Sequence, residues 1–178
     1  SLDAYLDKTR IPLKIDISTG DVITPCEISF SYQLMFENRT IPLLAYPPET
    51  VLAEKLETIL SRGEANTRLR DFYDVYILQR EDFVVTPDAL RDALLATCRK
   101  CGHEDLLHTY ASILDRVRQS DTMRTQWMKY QSDFDYAAGI TWDTVLDTVE
   151  TLCMKTLDDH AFGDELPQEE SQFEMHLL

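Results

Sequence analysis

The periodicity of the chain changes once, at Pro47-Pro48, and this change limits the fold more than any other feature. Upstream, IPLKIDI (11–17), CEISFSYQLMF (26–36) and TIPLLAY (40–46) are β-branched, aromatic and partly alternating, with the turn-forming stretches TGD and ENR between them. Alternation at period two sends successive side chains to opposite faces of a strand, so these segments predict two or three antiparallel strands. Downstream, apolar residues recur at three- and four-residue intervals, the period of a helix with one buried face. Pro48 suits a first helical turn, where its missing N–H and fixed φ cost little. Helices are expected over 48–62, 66–80, 87–101, 105–118, 121–136 and 141–158. Thr86 before Pro87, Ser120 before Asp121 and Thr141 before a long amphipathic run supply N-caps. The expected fold is α+β: a small antiparallel sheet of two or three strands in 1–47, then a mainly helical bundle in 48–158.

From Asp158 to the end there are seven acids and no Lys or Arg. Such a segment buries too little apolar surface to offset its ordering entropy, so 159–178 is expected to be a disordered acidic tail. With 178 residues, 44% of them hydrophobic, the rest of the chain suffices for one domain with a real core. A net charge of −15 argues against holding nucleic acid through a broad basic surface, while leaving room for a local basic site. No apolar run approaches the roughly 20 residues that span a bilayer, and SLDAYLDKTR lacks the apolar centre of a signal peptide. A cytoplasmic protein without a membrane partner is expected. Four scattered cysteines are too few for a disulfide scaffold, so reduced thiols are the expectation.

Two helices carry charges where a core should be. In PETVLAEKLETILSRG (48–63), Val51, Leu52, Leu56, Ile59 and Leu60 cover half of the cylinder, and Lys55 falls on that apolar half. Its stem can lie along the core while the ammonium reaches water; alternatively, the charge points into a cleft where it meets an anion such as phosphate. In RLRDFYDVYIL (68–78), Leu69, Phe72, Tyr73, Val75, Tyr76 and Ile77 occupy most directions, while Arg70, Asp71 and Asp74 share one sector. Arg70 and Asp74 stand at i, i+4 and Asp71 and Asp74 at i, i+3, so an internal salt bridge is one reading. Two adjacent acids also suit a metal ion or a hydroxyl that must lose its proton.

Together, AYPPETVLAEKLETILSRG (45–63) and TRLRDFYDVYIL (67–78) resemble the AbiEii/AbiGii toxin family of nucleotidyltransferases, the toxin halves of type IV toxin–antitoxin and abortive-infection systems. The resemblance lies in an A-E-K-L helix followed by an R-x-[KR]-D-x-x-D helix. It assigns Lys55 to the motif lysine, Arg68 and Arg70 to the basic pair, and Asp71 and Asp74 to the two aspartates of a nucleotide-binding cleft. Asp71 is the first choice for a catalytic acid or base, with Lys55, Arg68, Arg70 and Asp74 binding the NTP. LKIDISTGD is similar to the strand ahead of the lysine helix, which makes Asp16 a second catalytic or metal candidate. The resemblance implies Mg²⁺ and an NTP as cofactor and substrate, a tRNA 3′ end as acceptor, and an antitoxin protein as partner.

One departure qualifies the resemblance. The family places a Gly-Gly/Ser turn and an Asp-x-Asp strand, whose aspartates hold Mg²⁺, ahead of these motifs, and the fifteen residues before Asp16 contain neither. The chain is therefore expected to be the C-terminal part of such an enzyme, inactive alone, with no metal held by its own residues. The Asp-x-Asp at Asp133 and Asp135 lies far downstream and outside the motif's context. Cys98, Cys101 and His103 form C-x-x-C-x-H, a conceivable zinc site that lacks a second closely spaced ligand pair. The alternative function is a non-catalytic acidic helical module that binds another protein, in which Lys55, Asp71 and Asp74 only shape the fold.

Overall fold

Two β-hairpins precede six helices in the computed structural model, which describes residues 2–15, 17, 19–80 and 85–158. β1 (Leu2–Leu6) and β2 (Thr9–Leu13) pair antiparallel through the turn at Asp7-Lys8. Asp7 has φ 52°, a left-handed conformation that Asp tolerates better than most residues. β3 (Ile28–Gln33) and β4 (Thr40–Ala45) form the second hairpin, in which Ile28, Phe30 and Tyr32 oppose Ala45, Leu43 and Ile41 on one face. The fold is α+β, with the described strands arranged as two separate two-stranded sheets. The sequence pattern suggested two or three strands; the additional one, LDAYL, is short and is followed by a turn without Gly, Pro or Asn, so it carries little local signal.

The helices are α1 (Pro48–Arg62), α2 (Leu69–Arg80), α3 (Pro87–Cys101), α4 (Leu106–Gln119), α5 (Asp121–Asp133) and α6 (Trp142–Leu157), with 3₁₀ turns at Gly63–Ala65 and Asp135–Ala137. Thr86, Ser120 and Thr141 accept the N–H groups of Ala89, Met123 and Thr144, the caps expected of them. α2 starts at Leu69 instead of 66 because the Asn66 side chain takes the Arg68 N–H at 2.7 Å and holds that residue out of the helix. α5 ends three residues before the expected 136: Phe134 turns extended, and its ring stacks on Tyr136 at 5.3 Å.

α1 packs against α2, α3 and α4, and α2 in turn packs against α6. Leu52, Leu56 and Ile59 on α1, Phe72 and Val75 on α2, and Leu90 and Leu94 on α3 are fully buried. Each such side chain contributes about 2 kcal/mol. Three of them on α1 outweigh any ion pair on the same helix, so packing sets the orientation of α1 and the charges follow it. Among the described residues, every core hydrophobic lies from Leu52 onward, whereas Ile28, Phe30, Tyr32 and Leu43 are 40–49% exposed.

The segment before β3 is tied to the helices. Thr24 N–H donates to Thr50 Oγ1 at 3.0 Å, and the Thr50 hydroxyl lies 3.0 Å from the Thr24 carbonyl oxygen. Among the described residues, no helix is long and apolar enough to cross a membrane. Asp16 and the acidic stretch 159–178 lie outside the described residues.

Candidate functional site

α1, the start of α2 and the end of α3 enclose an open cleft of about 290 Å³. Val51, Glu54, Lys55 and Thr58 stand at i, i+3, i+4 and i+7, the spacing of one helical face, so α1 supplies one wall. Asp71 comes from the first turn of α2 and Arg68 from the residue just before that helix, and Thr97, Lys100 and Cys101 (i, i+3, i+4) come from the last turn of α3. Val22, in the segment pinned by Thr50, also lines it.

Lys55 is the hub of the cleft. Its Nζ lies 2.6 Å from Asp74 Oδ2 and 3.3 Å from Asp71 Oδ1, and its side chain is 20% exposed. The ammonium neither snorkels to open water nor stays unpaired on the apolar face; two acids one turn apart on α2 hold it at the cleft wall. Asp71 is buried, and its Oδ2 is 3.1 Å from Arg68 Nε without an aligned hydrogen bond. Arg70 is exposed, with Nε 3.7 Å from Asp74 Oδ1, and neither Arg70 nor Asp74 belongs to the cleft lining. The structure thus brings Lys55, Arg68 and Asp71 onto one cleft, with Asp74 reaching it through Lys55 and Arg70 through Asp74.

Further charged residues stand at the cleft that no local motif marks. Lys100 Nζ lies 2.7 Å from Asp21 Oδ1, and Tyr46 OH donates to Asp21 Oδ2 at 2.9 Å. The hydrogen bond to Asp21 raises Lys100, and the same acid raises the Tyr46 phenol. Burial, then the charge of Asp21, raises the Glu54 carboxyl. Glu57, also buried, is 2.6 Å from His103 Nδ1 and fastens the end of α3 to α1. These pairs join residues 25 to 79 apart in sequence, too far for any periodicity to show.

The C-x-x-C-x-H segment is not gathered around a point. His103 faces Glu57, Cys101 is exposed, and Cys98 is buried with its thiol pushed up to about 12 by desolvation. Among the described residues, no group of three or more His, Cys, Asp or Glu side chains is placed to hold a metal. Cys153 is buried too, and desolvation likewise raises it to about 12. A thiol raised above its unfolded value of about 8.5 stabilises the fold fully below that pH, and the contribution is lost as pH climbs toward 12. At pH 8, Ellman's reagent should therefore titrate two thiols of the native protein, Cys26 and Cys101, and all four after denaturation. Rapid reaction of a third native thiol would contradict this burial.

The family model described as "Nucleotidyl transferase AbiEii toxin, Type IV TA system" matches residues 1–148. No curated protein and no solved structure matches the chain. The matched stretch contains both hairpins, α1 to α5 and the start of α6, and with them every residue of the Lys55–Asp71–Asp74 network. The chain belongs to the AbiEii family of type IV toxin–antitoxin nucleotidyl transferase toxins.

Proposed function

We propose that the cleft binds the phosphates of a nucleoside triphosphate, as the phosphate-binding half of a site that transfers a nucleotidyl group to an acceptor hydroxyl such as a tRNA 3′ end. The observation that carries this reading is Lys55, fixed at 2.6 and 3.3 Å by two carboxylates beside an open cleft that Arg68 and Lys100 also line. Lys55 and Arg68 bind phosphate oxygens, Arg70 extends the cationic edge, and Asp74 orients Lys55. Asp71 is the acid or base. When Arg68 moves to a phosphate, the buried Oδ2 that it covers becomes available to the acceptor hydroxyl. The strand-rich part, 1–47, and the helical part, 48–158, serve one site, since Val22 of the first lines the cleft of the second.

Triphosphate chemistry of this class uses a divalent metal to neutralise developing charge. The described residues do not make a metal site, and both carboxylates of α2 already face Lys55, so no step here is assigned to one. The lining carries Glu54, Glu57 and Asp71 against Lys55, Arg68 and Lys100, leaving no surplus positive charge. A divalent metal carried by the nucleotide would supply the neutralisation that the lining does not.

A fluorescent NTP analogue with Mg²⁺ is expected to bind the chain, and Arg68→Ala, at a side chain 57% exposed, to weaken it about tenfold with the circular dichroism spectrum unchanged. Binding that ignores both Arg68→Ala and Lys55→Met would sink the proposal. Transfer of labelled NTP into tRNA by the 178-residue chain alone is expected to be absent, because its one Asp-x-Asp, Asp133 and Asp135, is exposed at the end of α5 and outside the cleft lining. Metal-dependent incorporation would overturn that part. A second reading, a protein-binding module, is favoured by the apolar β3–β4 face, which a partner such as an antitoxin would cover.

A further inference from the structure

Lys55 and Lys100 stand on the same cleft in different electrostatic situations. Lys55 is shared by two carboxylates on a helix and is 20% exposed. Lys100 faces the carboxylate of Asp21, which is carried on a loop, and its own side chain is 36% exposed. Asp21 is kept in place by the Tyr46 hydroxyl at 2.9 Å, and Lys100, paired with it, is turned toward the lining. Water reaches Lys100, at 36%, more than it reaches Asp21, at 16%, so the ammonium can leave the pair without first crossing buried surface, and a multiply charged phosphate competes well against a carboxylate for it. Lys55 and Lys100 come from neighbouring helices, α1 and α3, and Arg68 completes a three-sided set of cations around about 290 Å³.

We propose that Lys100 is a further nucleotide-binding residue, whose ammonium leaves Asp21 for a phosphate oxygen of the bound NTP, with Asp21 acting as the placeholder it exchanges. The inference rests on the reading of this cleft as an NTP site. It makes opposite demands on the two members of one ion pair. Removing the cation removes a phosphate contact, whereas removing the placeholder takes away a competitor for the cation.

The test is titration of the 178-residue chain with a fluorescent NTP analogue in Mg²⁺, repeated with inorganic tripolyphosphate as competitor. Lys100→Met is expected to weaken both ligands about tenfold, and Lys100→Arg to stay within about threefold of wild type. Asp21→Asn is expected to tighten both about threefold. If Asp21→Asn and Lys100→Met weaken binding together, the pair is a structural latch and the proposal fails. It fails equally if Lys100→Met keeps wild-type affinity, or if it affects the nucleotide but not tripolyphosphate. Arg68→Ala separates the two levels: weakened binding in Arg68→Ala with none in Lys100→Met discards this inference alone. Unchanged binding in Arg68→Ala, Lys55→Met and Lys100→Met discards the NTP cleft as well.

Discussion

Lys55→Met is expected to lower the midpoint of thermal unfolding by roughly 6–12 °C at neutral pH, read by circular dichroism. Removing one partner of a buried ion pair costs about 3 kcal/mol, and each kcal/mol shifts the midpoint by about 2–4 °C in a chain of this size. The methionine keeps the apolar stem that packs along α1 but leaves Asp71 and Asp74, with side chains 5% and 22% exposed, facing each other without their shared cation. Arg68 remains near Asp71, which keeps the cost at the low end of the range for buried pairs. The double variant Lys55→Met/Asp71→Asn removes one of the stranded charges and is expected to recover at least half of the loss. A drop below about 2 °C in the single variant would show that both carboxylates rehydrate freely and that the network holds nothing.

This outcome bears on function. Lys55, Arg68 and Arg70 set three cations against the two carboxylates of Asp71 and Asp74, so the network carries one positive charge more than its own acids match. The arrangement makes sense when a ligand shares the cation. Asp74, at 2.6 Å, fixes where Lys55 points, and the contact to Asp71 is longer, at 3.3 Å; on the proposed reading Asp71 is the carboxylate that takes part in proton transfer. On the same reading, a phosphate oxygen meets an ammonium whose position is already set, so little side-chain entropy is lost on binding.

The parts of the molecule readable from sequence are those whose signal repeats locally. Helix positions followed from three- and four-residue spacing, and Thr86, Ser120 and Thr141 marked their starts because a cap bonds only two or three residues ahead. The same spacing placed Asp71 and Asp74 on one sector of α2 and Lys55 on the inner side of α1, and the fold brings the two surfaces together. What escaped depends on tertiary encounter. Lys100 meets Asp21 across 79 residues, and Glu57 meets His103 across 46. Nothing about Lys100 in CRKCG distinguishes it from a solvated lysine in the last turn of a helix, a common place for one. β1 escaped for a different reason: five residues ending in an Asp-Lys turn carry weaker propensity than the β-branched runs that follow.

Trp127→Ala is expected to cost about 3–5 kcal/mol, a fall of roughly 6–20 °C in the unfolding midpoint, and to weaken NTP binding from outside the cleft. Trp127 is 1% exposed and sits among rings, 5.3 Å from Tyr130 and 5.9 Å from Trp142, which in turn lies 5.0 Å from Phe72. Phe72 immediately follows Asp71 on α2, so this aromatic column braces the helix that carries both acids of the network. Alanine leaves a cavity that α5 and α6 close only in part, and α2 is then free to roll on α1 and lengthen the contacts to Lys55. Trp127→Phe preserves most of the column. It loses the indole N–H bond to the Ile140 carbonyl at 2.8 Å, but that oxygen still accepts from Gln131 Nε2 at 2.9 Å and is not left unsatisfied. Its cost should be about 1–2 kcal/mol, with NTP affinity close to wild type. A Trp127→Ala protein that melts within about 3 °C of wild type would mean that the column does not support α2. One that melts early but binds NTP normally would mean that Lys55 and Asp71 keep their geometry without it.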